Sequence, residues 1–207
     1  MKVLLVNGSP NEAGCTYVAL KEIAGALEAD GIESEIFWIG KEPVGGCKHC
    51  GKCRELKECV IDDGVNVFLK KAREADGFVF GTPVHFAGAG GNITGFMDRA
   101  FFAEMFSGAN AFRLKPAAVV VAARRAGTTA AFDQMIKYPA YAEMFIVSSS
   151  YWNMVFGAKA EDVAQDAEGL FTMRTLGRNM AYLLKSLNTS EVEPPLKEKK
   201  PFTNFIR

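Results

Sequence analysis

Cys47, Cys50, Cys53 and Cys59 fall within the 13-residue stretch CKHCGKCRELKEC and make up four of the chain's five cysteines. Their spacing, C-x2-C-x2-C-x5-C, suits a soft metal centre. Three thiolates three residues apart can wrap one iron–sulfur cubane while a fourth closes it. Ferredoxin-type runs do this, although with a different final gap and a following proline. A structural zinc site would more often pair two C-x2-C units across a longer gap. Thiols that hold no metal are the third reading. Gly45, Gly46 and Gly51 let the backbone fold tightly here, and His49 could tune or ligate a metal or be a polar loop residue.

Three other stretches carry chemistry of a different kind. GSPNEAGCT (Gly8–Thr16) is rich in small and hydroxyl residues and holds no Lys or Arg. It has neither the Walker pattern nor a Gly-x-Gly-x-x-Gly fingerprint. A triphosphate would want a lysine and a metal. The phosphate of a flavin mononucleotide needs only oriented amides and hydroxyls at a helix start, with Ser9, Asn11, Cys15 and Thr16 as its candidate ligands. A well-capped turn without a ligand fits the same residues. In GTPVHFAGAGGNITGFMDRA (Gly81–Ala100), Pro83 makes a rigid exit from a strand. Val84, His85 and Phe86 could face a flat ring system, and the bland alternative is a flexible glycine-rich connection. In AARRAGTT (Ala122–Thr129), Arg124 and Arg125 could stabilise a reduced flavin by charge, bind a nicotinamide nucleotide phosphate, or stand solvated.

The elements that must hold these stretches are short apolar runs alternating with helical patterns. Strands are expected at Lys2–Val6, Ser34–Ile39, Gly77–Gly81, Ala117–Ala123 and Met144–Ser150. Helices are expected around Leu20–Leu27 with a stop at Gly31, at Val65–Glu74 with Asp62 or Asp63 as cap, and at Glu168–Leu187 with Leu170, Met173, Leu176, Met180, Leu183 and Leu184 on its apolar face. This alternation predicts an α/β fold, a doubly wound five-stranded parallel sheet with helices on both faces. Ligands of such sheets sit beyond the carboxyl ends of the strands, where the three stretches fall. The 207 residues are expected to form one domain, with a cysteine-rich insertion at 45–62 and a tail at 188–207 lying over the surface or reaching a neighbouring subunit. The FFAEMF stretch (Phe101–Phe106) reads as core or as aromatic contact surface.

Composition narrows the partners. Lys plus Arg and Asp plus Glu number 24 each, so nothing favours nucleic acid. No apolar run approaches the ~20 residues that a membrane span needs. The apolar part of MKVLLVNGSP is too short for a signal peptide. A cytoplasmic location is expected, and there clustered cysteines are more often metal-binding or catalytic than disulfide-bonded.

Taken together, GSPNEAGCT, TPVHFAGAGGNITGFMDRA and AARRAGTT with the later SSSYWNMVFG resemble the NADPH-dependent FMN reductase and iron–sulfur flavoprotein family of flavodoxin-like proteins. The likeness runs from about Met1 to Leu187. It implies a flavodoxin-like sheet that holds FMN non-covalently. Ser9, Asn11, Cys15 and Thr16 then lie at its phosphate, Pro83, Val84, His85 and Phe86 along its ring, and Ala123, Arg124, Arg125 and Gly127 on the ring's other side. Tyr151 and Trp152 fall in the segment after the last strand. Cys15 stands where the family commonly has Asn, and His85 where it commonly has Tyr. The cysteine segment resembles the compact motif of iron–sulfur flavoproteins, which implies a [4Fe–4S] cluster close to the flavin.

The expected function is that of a flavin-dependent oxidoreductase, an iron–sulfur flavoprotein passing electrons between FMN and a [4Fe–4S] cluster and exchanging them with a ferredoxin-like partner. Without a cluster the reading becomes a NAD(P)H-dependent FMN or quinone reductase that works by hydride transfer. A reading of another class is a zinc-stabilised interaction module. The flavin would carry the chemistry, so no catalytic side chain is expected. The likeness further implies a homodimer or tetramer.

Overall fold

A computed structural model describes residues 1–198 and 203. Alternation along the first strand decides the layering. In β1 (Lys2–Asn7), Val3 and Leu5 enter one core cluster and Leu4 and Val6 the other, all four fully buried. A strand buried on both faces must be covered on both. β1 pairs in parallel with β2 (Glu33–Trp38) on one side and β3 (Gly77–His85) on the other. β4 (Gly88–Ala89) folds back antiparallel on the end of β3. β5 (Pro116–Ala123) pairs in parallel with β3. Two short strands, β6 (Phe145–Ile146) and β7 (Met154–Phe156), then pair with the beginning and the end of β5. The order β2-β1-β3-β5-β6 matches the 2-1-3-4-5 order of flavodoxin-like sheets, whose switch point lies between the first and third strands.

One face is covered by α1 (Cys15–Ala29), α6 (Ala160–Val163) and α7 (Ala167–Asn188). The other is covered by α3 (Gly64–Glu74), α4 (Gly91–Ser107) and α5 (Thr128–Tyr141), with the four-residue α2 (Cys53–Leu56) against α4. Asp63, not Asp62, caps α3: its carboxylate accepts the Val65 amide at 3.0 Å. On α7, Met173, Leu176, Met180 and Leu184 are buried, while Leu170 and Leu183 pack at the margin. Among the described residues no helix is long and apolar enough to cross a membrane.

Three expectations change. The fifth strand is not the continuous run 144–150. After Val147, whose amide bonds to the Ala117 carbonyl, the chain leaves the sheet and returns at Met154. The excursion follows from the serines. The Ser149 hydroxyl bonds the Tyr151 carbonyl and the Asn153 side chain, both at 2.7 Å, and such local bonds compete with a sheet ladder. Second, the glycine-rich stretch after Gly81 is no loose connection: β3 continues to His85, a hairpin returns through β4, and α4 begins at Gly91. Phe101 of the FFAEMF stretch is core, Phe102 and Phe106 pack at its margin, and Met105 is exposed. Third, Asn188 belongs to α7, so the tail begins at Thr189. It runs without helix or strand to Glu198, and Arg113 Nη2 bonds the Pro195 carbonyl at 3.0 Å across the surface. The rest of the expected tail, 199–202 and 204–207, lies outside the described residues.

Candidate functional site

The loop after β1 is stitched by its own side chains. Asn7, fully buried at the strand end, donates to the Glu12 carbonyl at 2.8 Å and accepts the Ser9 amide at 3.1 Å. Ser9 Oγ accepts the Asn11 amide at 3.1 Å, and Trp38 Nε1 donates to the Ser9 carbonyl at 2.8 Å. α1 then starts at Cys15 behind Gly14, with no side chain capping it and no acidic residue in its first turn. Amides of a first turn have no intrahelical acceptor, so this end is open to an anion. Thr16 sharpens the point. Its Oγ1 is buried and has no hydrogen-bond partner among the described residues. A buried hydroxyl left so costs about 1–3 kcal/mol, which a bound phosphate oxygen would relieve. The loop therefore fits the phosphate of FMN.

The other strand ends close on this loop. The Gly8 amide bonds the Gly81 carbonyl at 2.9 Å, joining the exits of β1 and β3. The β3–β4 hairpin turns at Phe86 (φ 49°) and Ala87 (φ 60°). Both are left-handed, the conformation a two-residue type I′ turn demands and one that usually selects Asn and Gly. Holding Phe and Ala there costs about 1–2 kcal/mol per residue. Strain of this kind gathers at binding sites, and this turn leaves the Phe86 ring fully exposed. The hairpin is braced from behind. Gly90 N donates to Thr82 Oγ1 at 3.1 Å, and Ala89 N to Gln134 Oε1 of α5 at 3.0 Å. Gly127 (φ 93°) must be glycine twice over: a Cβ there would also sit 2.6 Å from Ala87 Cα and 3.0 Å from the Val84 side chain.

Of the expected flavin contacts, the structure thus brings Val84 and the hairpin tip against Gly127. Ala123 is buried at the β5 end and accepts the Gly157 amide at 3.0 Å. Cys15 Sγ lies 3.5 Å from the Gly157 carbonyl, and burial pushes its thiol pKa up. Asn11, His85, Arg124 and Arg125 are exposed. Tyr151 and Trp152 are half exposed, their rings edge to face at 4.6 Å.

The cysteine segment is built differently. It leaves β2 at Ile39 and contains one regular element, α2. Side chains from two helices hold it. Asn92 at the start of α4 accepts the Val44 amide at 3.3 Å and donates to the Glu42 carbonyl at 3.0 Å. One turn on, Gly95 lets the Val44 carbonyl approach so closely that a Cβ would meet it at 2.7 Å. Asn66 of α3, 2% exposed, accepts the Cys59 amide at 2.8 Å and donates to the Cys59 carbonyl at 2.9 Å. Arg99 of α4 donates to Cys59 Sγ and to Asp63. Burial works against the charge on both Arg99 and Asp63, yet their mutual bonds outweigh it. The guanidinium pKa rises, and the carboxyl is held below the ordinary carboxylate range.

All four cysteines line one pocket, together with Arg99, Phe102 and neighbouring backbone. Cys53 is buried, Cys59 half-buried, and Cys47 and Cys50 exposed. The Cys53 thiol is pushed up by burial and then by the nearby Cys47, Cys50 and Cys59 sulfurs. The His49 amide lies 3.4 Å from Cys47 Sγ, while the His49 ring packs edge-on against Phe102 at 5.4 Å. Among the described residues no three His, Cys, Asp or Glu side chains converge on one metal-ion position. The four thiols border one pocket, and as soft donors they suit iron–sulfur ligation.

The two regions meet on α4. It begins at Gly91, directly after the β3–β4 hairpin; its Asn92 and Gly95 hold the Glu42–Val44 stretch ahead of the cysteines, and Arg99 and Phe102 line the cysteine pocket. From Gly91 to Arg99 is about 12 Å along the axis at the usual rise of an α-helix. Asn7, Trp38, Asn66, Asn92 and Arg99 were not singled out in the sequence. The signal available for Asn66 and Arg99 was a polar residue inside an apolar run, VNVFL and FMDRAFF.

Residues 1–159 match the sequence pattern of the NADPH-dependent FMN reductase family. An iron–sulfur flavoprotein of Methanocaldococcus jannaschii is 31% identical over 194 residues, 89% of this chain and 98% of that protein. An iron–sulfur flavoprotein of Archaeoglobus fulgidus is 36% identical over 106 residues, 51% of each chain. Among solved structures, RosB with a bound 8-demethyl-8-formylriboflavin-5'-phosphate intermediate superposes with a TM-score of 0.72 at 13% identity, covering 100% of this chain and 95% of that one. At that identity the likeness concerns the fold alone.

Proposed function

The chain belongs to the NADPH-dependent FMN reductase family, and from that premise we propose that this flavin-dependent oxidoreductase is an iron–sulfur flavoprotein. In this reading it exchanges electrons between FMN at the strand ends and a [4Fe–4S] cluster on Cys47, Cys50, Cys53 and Cys59. The observation that carries it is the sharing of α4: one rigid helix borders both the flavin hairpin and the pocket of four cysteines. The two groups would then keep a fixed and short separation.

Each part of the chain has a task here. The first-turn amides of α1 with Ser9, Asn11, Cys15 and Thr16 bind the phosphate. Pro83, Val84, His85 and Phe86 line one side of the ring, and Ala123 to Gly127 the other. Arg124 and Arg125, exposed at the β5 exit, favour the added negative charge of a reduced ring. When bound, FMN supplies both two-electron and one-electron chemistry, which lets a hydride-type donor communicate with a cluster that takes electrons singly. The electron partner is a ferredoxin-like protein or NAD(P)H, the assembly a homodimer or tetramer, and the location cytoplasmic.

The deciding experiment is an absorption spectrum of anaerobically purified protein, with iron, acid-labile sulfide and zinc assayed on the same sample. Flavin bands with about four iron and four sulfide per chain are the expected result. Flavin without iron would overturn the cluster and leave a NAD(P)H-dependent FMN or quinone reductase, a reading the two exposed arginines favour as a nucleotide-phosphate site. Rapid bleaching of the flavin by NADPH would then be expected. A colourless protein holding zinc would return the interaction-module reading.

A further inference from the structure

Arg99 is the largest of the fully buried side chains among the described residues, at 1% exposure. Burying a guanidinium costs several kcal/mol unless it is paired and fully bonded. All its bonds go to the five residues that end in the α3 cap. Nη1 and Nη2 donate to the two Asp63 oxygens at 2.6 and 2.8 Å, and Nη2 also to the Ile61 carbonyl at 2.9 Å. Nε donates to Cys59 Sγ at 3.3 Å. The donors of a guanidinium are set in one plane. Once the Asp63 fork is made, the direction of Nε–H is fixed, and it points at sulfur. The Asn66 bonds hold the backbone of the same cysteine from the α3 side. Anchoring the loop would need only the bonds to Asp63 and Ile61. The bond to sulfur is additional.

We propose that Arg99 is a positioning residue for the cluster, fixing Cys59 Sγ and raising the cluster's reduction potential through its charged N–H···S bond. The proposal rests on the cluster reading above. Reducing the cluster adds one electron, from FMN or from a chemical reductant, and no atoms. The negative charge on the ligand sulfurs rises, so a cationic donor favours the reduced state. Hydrogen bonds to sulfur and local charge are established controls of cluster potential. Asp63 acts in the opposite sense: it occupies another edge of the guanidinium and offsets part of its charge.

The test is an anaerobic redox titration of FMN-loaded, iron–sulfur-reconstituted full-length protein, with the cluster followed by electron paramagnetic resonance and the flavin by absorbance. Arg99→Met should lower the cluster midpoint most, and Arg99→Lys, which keeps charge but loses the fork, should lower it less. Asp63→Asn should raise it, because asparagine still caps α3 while the counter-charge is gone. The flavin midpoint should stay in place. Shifts of opposite sign are not what a merely structural role would give. A cluster that assembles fully but has the same midpoint in every variant overturns the proposal alone, as does Asp63→Asn moving the same way as Arg99→Met. If the Arg99 variants do not fold, Asp63→Asn decides: a raised midpoint supports the role, and an unchanged or lowered one ends it. Wild-type protein that takes up no iron and sulfide overturns the cluster reading and this proposal with it.

Discussion

The strand-end loops and the cysteine segment border one helix but are held by different means. The first are extensions of a buried parallel sheet, tied backbone to backbone at Gly8–Gly81 and Ala123–Gly157 and braced further by the side chains of Asn7, Ser9, Trp38, Thr82 and Gln134. The second is an irregular stretch between β2 and α3, fastened at its two ends by Asn92, Asn66 and Arg99. A site carried by a sheet is preformed and spreads its support over many bonds, backbone and side chain together. A site hung from three side chains concentrates its support, so single substitutions reach it. In the proposed reading, the expected consequence is a flavin site that survives loss of the metal site.

The largest effect should come from the buried thiol. Cys53→Ser is expected to reduce iron and sulfide to background while FMN stays bound, measured as iron per flavin after reconstitution. Loss of FMN in the same variant would break the separation between the regions. On the flavin side, Thr16→Val removes a hydroxyl without a protein partner. A hydrogen bond to a charged group is worth about 1.5–3 kcal/mol, so FMN should bind roughly 10- to 100-fold more weakly. The melting temperature of the flavin-free protein should not fall. An equal loss of apoprotein stability would show that the hydroxyl serves the fold instead.

Asn66→Ala sharpens the contrast from the other side. It leaves the Cys59 amide and carbonyl without their acceptor and donor, at about 1–3 kcal/mol. Urea unfolding should show that loss and cluster uptake should drop, with FMN affinity unchanged. The smallest effect is one of pH. The Asp63 carboxyl is depressed in the folded state, so its stabilisation is complete above its unfolded value of about 3.9 and is lost as pH falls through the lower folded value. Unfolding of the cluster-free protein followed down this range should show a decline that Asp63→Asn lacks.

How much of this could be read in the sequence depended on what each element packs against. β1, β3 and β5 announced themselves because strands buried on both faces are continuous apolar runs. α7 showed its stripe because one face is solvated. α4 did not. Ten of its 17 residues are buried, and the rest include the apolar Phe102, Met105 and Phe106, so no polar face sets a period, and its early glycines read as loop. The cysteines were legible from spacing alone. Their clamps were not, because Arg99 meets Cys59 across 40 positions, and only the fold brings them together. The loop after β1 stood out as small hydroxyl residues, and its proposed phosphate role rests on them, but the bracing of Ser9 by Trp38 needed β2 beside β1.

The interrupted last strand has a consequence for how this protein fails. An open sheet offers two edges, and a long flat edge is a template on which another chain can polymerise. Here one edge is two paired stubs separated by a serine-rich detour, too short and too kinked to template anything. The opposite edge, β2, carries Glu33 and Glu35 in ion pairs with Lys2 and Lys71, and pairing another strand there would take these charges out of water. Aggregation in air of protein that holds no cluster should therefore start elsewhere, through intermolecular disulfides that dioxygen forms between Cys47 and Cys50 of different chains, the two exposed thiols of the pocket, and a reductant should reverse it.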